Sequence, residues 1–478
     1  MDFSWLIPGF RSWKSAKPSL PTDARRKLAE IYRATYRKPL SSLPRSIKVS
    51  TLGWNKHVNS RARLILKGQH KRKVILEKLD LRTKTAVMTA RLSKSILLDG
   101  LVPNRTERWM SPSARLKSPD HRSLEVENFS FFAAPKSTMT SLAAIAKADA
   151  ECVSGRINFL DHDCLDIGPW LVLAVMRQEM LPIFNGGAIG DQLSAVIKAL
   201  RLNGPLRFGL GQTYSDPNEI WAFPLRSRRP AGTSRSPTMH LDPQSSEEVA
   251  FELCDQIDNW LQQSSSLELS PEGRRIVGKI VGETLDNAQR HSRPDFPNDG
   301  DWSISGYMRR QGTGEGQTFI CQMAFLSVGA PISTTVNGCV AATKRQMDEY
   351  VASHLSSFPN QLYADEHLRT IYALQDRVSG DANAVENGRG GTGFRDIITF
   401  FGDLAAATST GVGAKLAIVS GRTCLHIDAN YCEVSRPARG QEFNIWMNAQ
   451  NLKGTSIFDC FRGNGIAGSA QSASATFN

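Results

Sequence analysis

Apolar and polar residues alternate differently along three stretches of the chain. In residues 1–119 the pattern reads as basic helices: Asp23–Arg37 is one, and Arg61–Leu101 includes helical material rich in Lys, Arg, Leu and Ile. Between about 120 and 228, short apolar runs alternate with segments of helical period. Val126–Ala133, Ile157–Leu160 and Leu206–Leu210 read as strands. Ser141–Glu151, Trp170–Met180 and Ile189–Leu202 read as helices. Strand and helix in alternation predict a small α/β unit.

From Ser245 the helix signals sharpen. Ser245 is placed as an N-cap with Glu248 three residues on, a capping box, and Val249, Leu253, Ile257 and Leu261 recur at fours. A second helix starts at Ser270-Pro271, with serine as cap and proline at the first helical position. Strands are expected at Trp302–Arg309, Thr318–Ser327, Ala414–Val419 and Thr423–Asp428. Ser111–Pro119 and Arg226–Thr238 read as linkers. The tail from about Ala467 is small and polar, and its composition predicts disorder. These breaks divide the 478 residues into a basic helical region at 1–119, an α/β domain at 120–228, a larger domain at 241–450 and a polar tail at 451–478.

Composition narrows the class. At 41% hydrophobic and 22% charged, the bulk of the chain is globular. No apolar run approaches the roughly 18–20 residues that cross a bilayer, and Met1–Trp5 lacks the features of a secretory signal, so a cytoplasmic protein without a membrane partner is expected. The eight cysteines are scattered, with no spacing that suggests zinc or a disulfide framework. The net charge of +12 is unevenly placed: residues 1–119 hold 27 Lys and Arg against 7 Asp and Glu, whereas the remaining 359 hold 31 against 39. An anionic partner for the first region alone follows. Candidate nucleic-acid contacts are Arg25, Arg26, Lys27, Lys71, Arg72 and Lys73, with Trp54 or Trp109 available for stacking. The alternative is a solvated basic helix pair docked on the acidic body.

Chemistry concentrates in the helix from Pro271. Glu283, Asn287 and His291 lie at i, i+4 and i+8 and form one stripe that continues the apolar stripe of Ile276 and Ile280. A polar stripe of this kind sits at the rim of a core and faces a pocket. Farther on, Asn387–Phe394 is glycine-rich and precedes a helix bearing Ile397, Ile398, Phe400, Phe401 and Leu404, an arrangement that presents amides and a positive dipole end to an anion. Phe325–Ser333 ends a strand with Gly329 as a close-contact position.

In this order the three elements resemble the GHKL ATPase superfamily, which includes gyrase B, MutL, histidine kinases and anti-sigma-factor kinases. Glu283, Asn287, Ala288 and His291 match its N box. Gly391-Thr392-Gly393-Phe394, preceded by Gly388 and Gly390, matches its second glycine box, and Ser327–Ile332 occupies the place of the first. Ala414–Asp428 looks like its last strand pair. The resemblance implies a Bergerat-type α/β sandwich, a mixed sheet with helices on one face, so that the whole chain combines α+β and α/β domains. It implies ATP and Mg²⁺ as ligands. Asn287 would coordinate the metal, and Glu283 would be the catalytic general base. His291 would lie near the phosphates. Ser327, Gly329, Gly388, Gly390, Gly391, Thr392 and Gly393 would complete the nucleotide site. Asn337–Glu386 would form a lid from which Arg369 or Arg377 reaches the γ-phosphate. Two positions depart from the family: Ser327 stands where it has an adenine-binding aspartate, and Pro331 where it has a glycine.

More faintly, Ile157–Leu173 resembles the STAS fold of anti-sigma-factor antagonists. Asp166 matches the aspartate before the family's phosphorylated serine, but Ile167 and Gly168 follow with no hydroxyl. A protein partner would bind there, and a homodimer follows by analogy with GHKL proteins. The function expected is a Mg-dependent ATPase, a hydrolase acting as a conformational switch in a regulatory or defence-type system. The alternatives are an anti-sigma-like serine protein kinase, or a nucleic-acid-binding scaffold with a degenerate pocket. The lone His240 does not resemble a phosphoacceptor.

Overall fold

The computed structural model describes residues 95–103, 122–151, 155–180, 184–211, 220–228, 245–293, 300–312, 318–357, 364–375, 378–380, 394, 396–400, 414–427, 434–435, 444–445, 458–460 and 466–477. Asp23–Arg37, Trp54, Trp109, the six candidate nucleic-acid contacts, His240, Arg377, and Gly388, Gly390, Gly391, Thr392 and Gly393 lie outside the described residues. Among the described residues no helix is long and apolar enough to cross a membrane.

The chain first makes a short helix, α1 (Ile96–Leu101), and then a parallel unit: β1 (Arg122–Val126), α2 (Pro135–Glu151), β2 (Gly155–Phe159), α3 (Gly168–Glu179), β3 (Phe184–Ala188), α4 (Asp191–Ala199) and a single helical turn, α5 (Asn203–Leu206). The strands lie in the order β1-β2-β3, all parallel. Helices α3 and α4 match the expected periodicity within two or three residues, and α2 starts earlier than expected.

Two expected strands are not strands. β1 stops at Val126 because side chains, not a neighbouring strand, take the next amides. Asp161 accepts from Asn128 N and Phe129 N (both 2.8 Å), Thr138 Oγ1 from Ser130 N (2.9 Å) and Asp166 from Phe131 N (2.7 Å). The alternation of Phe129 and Phe131 reflects burial of a loop: both are within 1% of fully buried, and Phe129 sits edge-on to Trp170 at 5.0 Å. Leu206–Leu210 is likewise no strand, since a helical turn ends there on a left-handed Arg207 (φ 58°). The third strand is instead Phe184–Ala188, which carries Gly186 and Gly187. Gly187 packs so tightly on β2 that an added Cβ would lie 1.7 Å from the Ile157 carbonyl oxygen.

The rest of the chain builds a larger sheet. Its elements are β4 (Ile220–Arg228), α6 (Ser246–Ser265), α7 (Pro271–His291), β5 (Asp301–Gln311), β6 (Thr318–Val328), α8 (Ile332–Thr335), α9 (Ala341–Ser357), α10 (Asp365–Ala373), β7 (Lys415–Gly421), β8 (Thr423–Ile427), the small pair β9 (Val434–Ser435) and β10 (Asn444–Ile445), β11 (Phe458–Cys460) and β12 (Ile466–Phe477). Both helix starts are as the sequence predicts. Ser245 accepts from Glu248 N (3.1 Å) while Glu248 accepts from Ser245 N (3.0 Å), and Ser270 accepts from Gly273 N (3.0 Å).

The seven strands run β11-β8-β7-β12-β6-β5-β4, and every neighbouring pair is antiparallel. Three expectations are corrected here. The tail is not disordered, because β12 occupies a central position in this sheet between β6 and β7. The sheet is not mixed. β6 and β7 point the same way, yet they do not touch, since β12 separates them and pairs antiparallel with each. Nor is Arg226–Thr238 a linker from its first residue, because β4 runs through Arg228 as the edge strand next to β5. Pro224 sits at a register shift in β4, an edge position where its missing N–H costs no ladder bond.

Helices cover both faces of the sheet, where one face was expected. On one side Trp302, Ile304, Met308 and Phe325 pack under α6 and α7 with Val249, Leu253 and Val281. On the other, Tyr307, Ala324, Leu326, Ala417 and Val419 join one core with α1, α2 and α3 of the parallel unit. Polar groups fasten that second interface. Arg309 forks onto both oxygens of Asp163, Tyr307 donates to Cys164 O (3.3 Å) and Gln322 to Leu165 O (3.2 Å).

Candidate functional site

On α7 the apolar stripe gives way to the polar one within a turn. Ile280 is buried against Ile371, Ile398 and Ile418, whereas Glu283, Asn287 and His291 are half-buried and form one wall of a cleft. Thr284, Ala288, Arg290 and Ser292 complete the wall. Thr284 turns its hydroxyl back to Ile280 O (2.7 Å) and so is committed to the helix. The cleft encloses about 1130 Å³ of non-protein space, its open mouth included.

The floor comes from the sheet. Strand register places Trp302, Ser327, Ser469 and Ser420 in one row across β5, β6, β12 and β7, and Ile304, Phe325, Gln471 and Ile418 in the next row on the same face. Trp302, Phe325, Ser327, Ser469 and Gln471 line the cleft. Ser420 is fully buried and accepts Ile332 N (2.8 Å), which pins the start of α8 to the floor. Trp302 Nε1 and Ser292 Oγ, both in the cleft lining, are buried polar atoms with no hydrogen-bond partner among the described residues.

The opposite side is Ile332, Thr335 and Val336, then Ala373 and Val378–Gly380, and finally Phe394. Phe394 is the last residue of the glycine-rich segment, so that segment ends at the cleft. Ile397 and Ile398 behind it are buried in the core shared by β7 and β8.

Four of the sequence candidates therefore meet in one place: Glu283, Asn287, His291 and Ser327. Gly329 does not line the cleft. It lies against the end of α7, where a Cβ would sit 1.8 Å from Ser292 O, and the next amide, Ala330 N, donates to that oxygen at 2.7 Å. It fastens the end of β6 to the end of α7. Arg369 also lies elsewhere. It bridges Asp365 (2.7 Å), Asp348 (2.8 Å) and Asn337 (3.2 Å), holding α9 to α10; among the described residues the guanidinium that lines the cleft is that of Arg290. Asp166 of the parallel unit accepts Phe131 N and Gly168 N and is fully buried, a brace for its own loop.

Sequence reading missed Ser469, Gln471, Trp302 and Arg290. Only Arg290, one position before His291 on the helix, carried a local signal. Burial pushes the thiols of Cys164 and Cys321 up to about 12, so both are protonated at neutral pH and neither is a nucleophile. Among the described residues no three His, Cys, Asp or Glu side chains gather as a metal cage.

Comparison of the chain with protein-family models, with curated proteins and with solved structures finds no match.

Proposed function

We propose that this chain is an ATP-binding protein of the GHKL type, a Mg-dependent ATPase whose nucleotide state sets its conformation. One observation carries the reading: a Glu-Asn-His stripe on one helix faces a row of serine hydroxyls on the neighbouring sheet, across one cleft whose far side includes Ile332, Thr335, Val336 and Val378–Gly380.

The residues present fit a magnesium nucleotide. Mg²⁺ keeps several waters and takes phosphate oxygens, so one hard oxygen from the protein suffices and no protein cage is needed. The amide oxygen of Asn287 would be that ligand. Bound there, the ion would neutralise phosphate charge. Among the described residues Glu283 is the one carboxylate in the cleft lining; it lies one helical turn from Asn287 and accepts the proton of the attacking water. Arg290 and His291 bring hydrogen-bond donors to the same wall, suited to phosphate oxygens. The buried, unpartnered Trp302 Nε1 and Ser292 Oγ are polar groups that a ligand would satisfy.

Calorimetric titration of Mg-ATP tests this. The wild-type chain should bind, and Asn287→Ala should weaken binding by at least about tenfold, or about 1.4 kcal/mol. Glu283→Gln should bind as the wild type does while phosphate release stops. Absence of binding by the wild-type chain at millimolar nucleotide overturns the reading.

A further inference from the structure

The sheet rows under the cleft contain a residue that no packing role explains. Gln471 stands between Phe325 on β6 and Ile418 on β7, with Ile304 next beyond, so it is the polar member of an otherwise apolar row. Its side chain is half-buried and lines the cleft beside Ser469 and Ser327. An amide in such a row is costly unless its hydrogen bonds are met, and a β-branched residue would pack there better. The aromatic neighbours Trp302 and Phe325 make the same floor a surface for the face of a planar ring.

We propose that the C-terminal strand β12 supplies base recognition in this cleft, with Gln471 as the specificity-determining residue, and that the site accepts both 6-amino and 6-oxo purine nucleotides. The inference rests on the nucleotide reading above. A carboxylate can only accept hydrogen bonds and so selects a base with an exocyclic amine. Among the described residues the strands of the floor bring no carboxylate to the cleft lining, and Glu283 stands on the helix wall. Ser327 and Ser469 offer hydroxyls that donate or accept, and Gln471 offers a carbonyl acceptor and an amide donor on one group. Rotation of the Gln471 amide presents its carbonyl to a 6-amino group or its NH₂ to a 6-oxo group. Discrimination at that atom is then lost.

The test titrates Mg-ATP, Mg-ITP and inorganic triphosphate into the full chain and three variants, with thermal melting to show that each is folded. Wild-type dissociation constants for ATP and ITP should agree within about threefold. Gln471→Glu removes the donor and should favour ATP over ITP by at least about tenfold. Gln471→Leu should weaken both purine nucleotides by about tenfold and leave inorganic triphosphate unchanged. Ser469→Ala, the least disruptive change, should weaken both nucleotides in the same way and decides the matter if a Gln471 variant fails to fold. Purine-nucleotide affinities and an ATP-to-ITP ratio that no folded variant changes overturn the assignment of β12 and leave the nucleotide site standing. Failure of the wild-type chain to bind either nucleotide overturns both.

Discussion

Gly329 and Gly282 should respond to the same substitution with opposite signs. Gly329→Ala places a methyl group 1.8 Å from the Ser292 carbonyl oxygen and 2.6 Å from its carbon, both backbone atoms of the α7 terminus. Neither can swing away as a side-chain tip can, so the end of β6 must move from the helix. The Ala330 N to Ser292 O bond at 2.7 Å is lost with it. A lost backbone hydrogen bond costs about 0.5–1.5 kcal/mol. Forced backbone displacement adds about 1–3 kcal/mol. The total is roughly 2–4 kcal/mol, and it falls on the joint that holds Ser327 opposite His291. Gly282 lies inside α7, and beyond the backbone of its own helix no described heavy atom comes within 4 Å of an added Cβ. There alanine only removes glycine's entropy penalty, a gain of about 0.5–1 kcal/mol. Thermal melting compares the variants, and Mg-ATP titration reports the cleft. Gly329→Ala should melt lower and bind nucleotide more weakly, whereas Gly282→Ala should melt at or above the wild-type temperature. A Gly329→Ala chain with wild-type melting, or a destabilised Gly282→Ala chain, refutes the packing described for α7.

Two further perturbations separate local from global effects. His367, 3% exposed, accepts Ala364 N through Nδ1 (2.8 Å), and burial holds its pKa below the usual imidazole value. Below about pH 6.5 the unfolded chain takes up a proton that the folded chain resists, so stability is present above that pH and is lost as pH falls towards the folded value. Amide protection factors in α10, taken relative to the intrinsic exchange rate at each pH, should fall between about pH 7.5 and 5.5, and His367→Gln, which keeps an acceptor at the same helix position, should flatten that dependence; equal pH profiles would count against it. Deletion of residues 466–478 strips β6 of ten paired residues and β7 of seven, exposing two long strand edges in the middle of the sheet. The truncated chain should aggregate or lose its near-ultraviolet circular dichroism, whereas a disordered tail could be removed without effect.

What the sequence alone determined is what repeats locally. The Ser245–Glu248 box and the Ser270-Pro271 start are decided within four residues, because a cap satisfies amides of its own first turn. The Glu283, Asn287, His291 stripe follows from the 3.6-residue period, and strands β5 to β8 from runs of apolar and β-branched residues. Pairing between distant segments has no such local mark. The Ala-, Ser- and Gly-rich β12 reads as a solvated tail because its strand state comes from the ladders of β6 and β7, some 140 and 50 residues upstream. Phe129 and Phe131 mislead in the opposite sense, since burial imposed an alternating pattern on a loop whose amides are held by Asp161 and Asp166. Only the tertiary structure decided that Arg369 braces two helices while Arg290 lines the cleft, and that Ser469 and Gln471 lie beside Ser327. A helix fixes which residues share a face, but which face meets which strand depends on contacts that close over more than a hundred residues.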